Sequence, residues 1–430
     1  MRYDTVIIGG GLAGLTAGIE LLKRGQKVAA VSTGQSALHF NSGSLDLMGR
    51  SKTGRDIINP LQGIMSVGEQ HPYARLGFPR IQRLLPRIKP LFEEAGITLN
   101  GTADRNHFRL TPLGMFKPAW LTMAGLATTD NPNNPGWGRC LIINIAGFID
   151  YYPQFLANGL AETGIECDIR NLSHPAIEYL RKSSTEMRAT NIARVIRGEV
   201  IDQIAKSVSK MAKESGADTV LMPSVVGVFS ETPLRRMLEL AQCNLKFVGT
   251  MPMSVSGMRT QMCLRRLFEH LGGTYLLGDS VRCGKFSGNR LTEVYTTNLG
   301  DMPLQAETFI LASGSFISHG LEADPEHVYE PLFGLDVDAD SNRPQWSHMN
   351  IYTSQQYMSF GVRTDDRFRV SRNGQTVSNL FAAGSILSGS NAVKEESGAG
   401  ITLLTALNAA DTICNCNETK TQKLQPSEYY

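Results

Sequence analysis

The residues best suited to chemistry stand at the start of the chain, where Gly9, Gly11 and Gly14 are spaced Gly-x-Gly-x-x-Gly between an apolar run and a helical pattern. Such a turn cradles a phosphate. Gly9 permits the tight turn and Gly11 lets the backbone come close to an anion. Gly14 lets the helix pack on the strand, with the helix N-terminus at Leu12 and Ala13 facing the phosphate. Residues 5–8 are apolar and β-branched and predict a buried strand. The pattern over Leu12–Lys23 has apolar residues at Leu12, Leu15, Ile19 and Leu22 with Gly25 as a stop, and residues 27–31 predict a second strand. The complete β-α-β unit turns a weak glycine pattern into a nucleotide-type cofactor site.

About 20 residues beyond the glycines, such a site usually carries a carboxylate that takes both hydroxyls of an adenosine ribose. Here that place holds Ser32 and Thr33. Neither hydroxyl is a charged bidentate acceptor. Binding of NAD, or of the adenosine half of FAD, is therefore weakened, whereas FMN ends at one phosphate and loses nothing. FMN is the expected cofactor, with FAD disfavoured.

Two later segments fit the same site. Residues 306–315 predict a strand ending at Ser313 and Gly314, and residues 379–385 another ending at Gly384 and Ser385. Ser397, Gly398, Gly400 and Ile401 then open a helical stretch over 403–413. A helix N-terminus built from small residues can lie against an isoalloxazine ring and turn N–H groups toward its pyrimidine oxygen. No second Gly-x-Gly-x-x-Gly follows a central strand, so no separate nicotinamide nucleotide domain is expected.

These elements imply a fold of the α/β class: a Rossmann-like flavin-binding domain assembled from both chain ends, with an inserted α/β or α+β substrate or partner domain. The expected parts are 1–110 and 271–415 for the flavin domain, with some of 317–360 shared with the insertion. Residues 111–270 form the insertion, and 416–430 a polar tail that frays. Within the insertion, 206–226 reads as helix then strand, 256–271 as helix, and the Asn/Pro/Gly-rich 128–138 as an exposed loop. With 42 basic and 40 acidic side chains the net charge of +2 gives no reason to expect nucleic acid. No signal-peptide pattern precedes the first strand, and no apolar run approaches the roughly 20 residues needed to span a bilayer. Seven cysteines are scattered without a Cys-x-x-Cys pair, so neither a metal nor an iron–sulfur site is expected.

Along essentially its whole length the chain resembles the family of the B subunit of bacterial anaerobic glycerol-3-phosphate dehydrogenase. The resemblance rests on residues 3–15 (YDTVIIGGGLAGL), 34–47 (GQSALHFNSGSLDL), 111–114 (TPLG), 191–194 (NIAR), 311–316 (LASGSF) and 334–337 (GLDV). It implies an FMN flavoprotein that works with an FAD-containing catalytic subunit and a membrane-associated iron–sulfur subunit. Together these oxidise sn-glycerol 3-phosphate to dihydroxyacetone phosphate and pass electrons to menaquinone, with fumarate or nitrate as terminal acceptor. It also implies a cytoplasm-facing position at the inner membrane, held through partners and soluble when alone. More distantly, the chain resembles the flavoprotein subunits of fumarate reductase and succinate dehydrogenase, which residues 360–365 (FGVRTD) share. Those proteins place a proton-donating arginine just before the last glycine pair, where this chain has Glu395 and Glu396, which argues against fumarate chemistry.

Ser42, Gly43 and Ser44 fall where this fold class brings groups to the flavin N5 edge. His39 is the candidate base for the alcohol proton, and His319 and Arg363 complete the catalytic candidates. Arg259 and Arg363 are the expected cations for the substrate phosphate, whereas Arg265 and Arg266 fall on a solvated helix face. Two other readings stay open: a noncatalytic flavin relay or assembly subunit, and a stand-alone oxidoreductase of the fumarate-reductase type with another substrate.

Overall fold

The computed structural model describes residues 1–423. The first strand, Arg2–Ile8, buries Val6, Ile7 and Ile8 and lies inside an eight-stranded sheet. On one side it pairs in parallel with Val28–Ser32, and that strand pairs in parallel with Thr274–Leu277. On the other side it pairs in parallel with Leu304–Leu311. The third strand of the nucleotide-type unit is thus supplied only after the insertion, and the domain is built from both chain ends.

Leu304–Leu311 is where the sheet forks. Its first residues pair antiparallel with Arg290–Thr296, and its last pair in parallel with Gln375–Ala382. At the fork the side chain of Asn379, 2% exposed, replaces the missing ladder. Its Oδ1 accepts from Leu291 N at 2.9 Å, and its Nδ2 donates to Leu291 O at 2.8 Å and to Glu307 O at 2.9 Å.

The helix Leu12–Lys23 buries Leu15 and Ile19 but also Ala13, Ala17 and Leu21. It is covered on more than one face because the helices Val255–His270 and Gly398–Lys423 both pack on it. Gly18 makes this possible, since a Cβ there would stand 2.5 Å from the Phe268 ring. The last helix runs through Lys423, well past the point at which a frayed tail was expected, and residues 424–430 lie outside the described residues.

The middle of the chain forms a second sheet of four strands, all parallel, in the order Cys167–Asn171, Cys140–Asn144, Thr219–Pro223, Asn244–Val248. The insertion is therefore α/β. Its core runs from Leu110 to Val255 and includes the buried face of the helix Glu199–Ser215. The helix Val255–His270 joins the two cores, with Val255 in the second and Cys263, Leu264 and Phe268 in the first. The loop expected over 128–138 begins as a short strand, Thr128–Thr129, paired with Arg109 and Phe108, and it buries Trp137 edge-on to Phe116. The indole carries enough apolar surface to outweigh the turn-forming residues around it.

Candidate flavin site

The glycine turn is held from behind. Gly9, at φ +117°, donates its N–H to Val31 O, and a Cβ on it would stand 2.1 Å from Ala312 O. A Cβ on Gly14 would stand 1.9 Å from Gly9 O, so strand and helix meet backbone to backbone. Tyr275 donates its hydroxyl to Gly10 O. Gly11 differs. It is the N-cap of Leu12–Lys23 with no side-chain cap, and the nearest atom to a Cβ there is Ser36 Cβ at 3.4 Å. The open helix N-terminus therefore faces free space, and it suits a phosphate.

That space is a cleft of about 680 Å³. It is lined by Gly9, Gly11, Leu12 and Ala13, by Ser32 and Thr33, and by Ser313, Gly314, Ser385 and Gly398. Segments from the two ends of the chain thus meet on one cavity. The cleft also reaches Asp279, Ser280 and Val281 beyond the end of Val28–Ser32. Ser32 is buried and its hydroxyl donates to Gly34 O at 3.3 Å.

Other expected residues support the cleft from behind without lining it. Gly384 takes φ +81° beside Ala13 and donates to Thr405 Oγ1. Gly400 donates to Asp46 O at 2.8 Å and leaves room for the Tyr73 hydroxyl. Ile401 is in the core, and Ser397 is fully buried with its hydroxyl toward Glu395. Ser42 and Ser44 hydroxyls lie 3.3 Å apart. Gly43, at φ +93°, bonds through its carbonyl to Met123 N. The brace of this loop is Asn41, which sequence reasoning did not single out. It lines the cleft, accepts from Gly43 N and donates to Ser44 O. Asn preceding a Ser/Gly turn was the available signal.

The charged candidates are not gathered. His319, at φ +57°, stands on the cleft rim, largely exposed and 3.7 Å from Glu322. Arg363 is placed elsewhere, half-exposed and bound at 2.7 Å to Asp338, the partner that holds its charge. Arg259 is 2% exposed within Val255–His270, beside Gly227, with Nε and Nη1 lacking hydrogen-bond partners. Burial pulls its pKa down, and Glu231 works against this. Gly227 and Glu231 pack beside this guanidinium, which does not line the cleft. Arg265 stacks on Tyr275 and pairs with Glu269, and Arg266 donates to Phe229 O. Among the described residues lining the cleft there is no lysine or arginine. His39 is buried off the cleft, and burial lowers its pKa so that the ring is neutral at pH 7.

A group that the sequence did not flag lies beside the N-terminus of Gly398–Lys423. Asp46 Oδ1 is shielded and has no hydrogen-bond partner, although the residue keeps some accessible surface. Burial pushes its pKa up to about 6, Glu396 adds to this, and Arg109 and Lys117 oppose it. Glu396, at φ +49°, lies 3.3 Å from Lys117 Nζ and 3.6 Å from Arg50 Nη1. An acid with a raised folded pKa binds its proton more tightly when folded, so it favours the fold at low pH. That contribution is lost as pH rises from the unfolded value of about 4 through about 6. Asp46→Asn is therefore expected to stabilise the flavin-free chain at pH 7.5 by up to about 3 kcal/mol, with no gain below about pH 4. Urea unfolding at the two pH values checks this, and equal effects at both would remove the account.

The family model described as "FAD binding domain" matches residues 4–401. A Yersinia enterocolitica protein, named as the B subunit of anaerobic glycerol-3-phosphate dehydrogenase, is 39% identical over 423 residues, covering 97% of this chain and 99% of the relative. Proteins of the same name from Pectobacterium carotovorum (38% over 417 residues, 96% and 99% covered) and Vibrio cholerae (36% over 425 residues, 96% and 97% covered) are also similar to it.

Proposed function

This chain belongs to the family of the anaerobic glycerol-3-phosphate dehydrogenase B subunit, and we propose that it oxidises sn-glycerol 3-phosphate to dihydroxyacetone phosphate as the flavin-carrying subunit of a quinone-linked complex. The observation that carries the reading is the open N-terminus of Leu12–Lys23, set in a cleft shared by both ends of the chain. The relatives are named as one lettered subunit of an enzyme, which implies others. In this reading they are an FAD-containing subunit and an iron–sulfur subunit that delivers electrons to menaquinone. No helix among the described residues is long and apolar enough to cross a membrane, and the proposed place is the cytoplasmic face of the inner membrane, through those partners.

A bound flavin supplies a two-electron acceptor for a carbinol C–H bond. The chain's own residues have simpler tasks. Gly11, Leu12 and Ala13 present backbone to the phosphate, Asn41 holds the Ser42 to Ser44 turn, and Gly398 with Ala399 brings a helix N-terminus to the ring. We assign FMN, because the Ser32 hydroxyl is turned to Gly34 O and the carboxylate of Asp279, the acid beside it, is taken up by Thr296 Oγ1, Ser280 N and Asn298 N. FAD is the second reading, favoured by the cleft continuing to Val281 and by the description of the matching family. A relay role without substrate is favoured by the lack of lysine or arginine among the described lining residues.

One preparation tests all three. Acid extraction and chromatography of the purified chain are expected to yield FMN in excess of FAD, and stoichiometric FAD would reverse the assignment. Anaerobic mixing with glycerol 3-phosphate is expected to bleach the flavin of the isolated chain. Bleaching only after its partner subunits are added would establish the relay.

A further inference from the structure

We propose that Cys140 and Cys167 form an oxidisable pair, in which peroxide reacts at Cys167 and Cys140 then closes a disulfide with it. The inference stands whichever flavin or substrate the cleft takes, since neither cysteine lines it. The placement comes from the second sheet. Cys140–Asn144 and Cys167–Asn171 pair in parallel, and the register sets Cys140 directly beside Cys167 at the first position of each strand. Parallel neighbours in register carry their side chains on one face, with strands about 4.8 Å apart, and a disulfide spans Cα atoms about 4.4–6.8 Å apart. Both sulfurs lean the same way along the strands, 4.0 Å from Gly138 O and 3.9 Å from Ile165 O. The two thiols are hydrogen-bond partners.

The pair is asymmetric. Cys140 is fully buried, whereas Cys167 keeps part of its surface in solvent, on the strand that forms the edge of this sheet. The hydrogen bond with Cys140 holds the Cys167 thiol below its ordinary value, against burial and the Asp168 charge. The same bond, together with burial and Asp218, keeps Cys140 protonated. Tyr151, which also acts with Cys167, stays a neutral phenol because burial raises its pKa. The thiolate is the nucleophile, so Cys167 reacts first and Cys140 resolves. Cys283 lacks this setting: it is exposed, but it faces Tyr295 across its strand pair. The chain between the two cysteines carries the helix Pro153–Ala161, which packs on both strands, so the disulfide closes a loop around that helix and pins the edge strand.

The step balances with hydrogen peroxide as the oxidant. The Cys167 thiolate attacks one peroxide oxygen, the S–O bond forms as the O–O bond breaks, and hydroxide leaves as water with the proton that Cys167 released. Cys140 then attacks the Cys167 sulfur. The S–S bond forms, the S–O bond breaks, and the Cys140 proton goes to the departing hydroxide. Two thiols are oxidised to one disulfide, and one peroxide is reduced to two waters. A small dithiol reverses the change by thiol–disulfide exchange. In a reducing compartment such a pair works as a sensor rather than as a permanent staple.

The flavin-loaded full chain is treated with hydrogen peroxide, alkylated and digested for mass spectrometry. A cross-linked Cys140–Cys167 peptide is expected in most molecules, reversed by dithiothreitol, with flavin content unchanged. It should form at least about 10-fold faster in the folded chain than in urea, where nothing holds the two thiols side by side. Cys140→Ser should stop at a Cys167 sulfenic acid that dimedone captures, and Cys167→Ser should leave Cys140 unoxidised. The cross-linked wild type should unfold at a higher urea concentration than the reduced chain, a shift that dithiothreitol removes and neither serine variant shows. The comparison of folded and unfolded wild type needs no variant. Equal cross-linking rates in the two, or a cross-link to Cys283 instead, would overturn the proposal, as would irreversible oxidation of wild-type Cys167 with Cys140 left free.

Discussion

Gly11→Val is expected to leave the chain folded and strip it of flavin. Gly11 has an ordinary negative φ, and the nearest neighbour of a Cβ is Ser36 at 3.4 Å, so the protein itself tolerates a side chain there. What a branched side chain occupies is the space before the uncapped N-terminus of Leu12–Lys23, where the phosphate must come. Flavin affinity should fall at least about 100-fold, which is about 2.7 kcal/mol. The unfolding free energy of the flavin-free chain should change by less than about 1 kcal/mol. Gly9→Val is the contrasting variant. At φ +117° and 2.1 Å from Ala312 O it cannot be accommodated, so its loss of flavin would accompany loss of the fold. Fluorescence titration with flavin, beside urea unfolding, separates the two. Wild-type affinity in Gly11→Val would mean that the phosphate sits elsewhere.

The second large effect is expected at Asn379. Leucine there removes the side-chain partner of Leu291 N and Leu291 O at the fork of the main sheet, while Glu307 O keeps the Arg290 guanidinium. Each stranded buried group costs about 1–3 kcal/mol, so a loss of about 3–5 kcal/mol is expected after partial relaxation. Asn379→Asp keeps the acceptor for Leu291 N but cannot donate, and it should lie between. Because Gln375–Ala382 runs directly into the Gly384 and Ser385 turn, flavin retention should weaken with stability. Urea unfolding of the flavin-free chain measures this, and a change below about 1 kcal/mol would show that water takes over the amide's role.

Local chemistry explains what was legible beforehand. The first strand, the helix Leu12–Lys23 and the second strand are encoded by apolar period and by glycines whose neighbours lie within the same unit. The small-residue turns at Gly314 and Gly384 were recognisable for the same reason, and the cleft brings them together. Their strand partners were not, since a strand that joins the sheet some 300 residues after its neighbour leaves no periodic trace of that pairing.

Residue order alone specifies a strand–glycine turn–helix unit at the N-terminus, a fold of the α/β class assembled from both chain ends, and the small-residue turns that line one cleft with it. These follow from backbone geometry over a few residues, which neighbouring residue types spell out directly. Which charges matter emerges only once the chain is packed. Arg259 and Arg363 looked like free cations, yet one is enclosed beside Gly227 and the other is paired with Asp338. Asp46 carried no signal in the sequence, yet it stands next to Glu396, 350 positions away, with its pKa raised to about 6. A titratable side chain takes its character from desolvation and from charges within a few ångströms, and both are properties of the packed molecule rather than of neighbours in the chain.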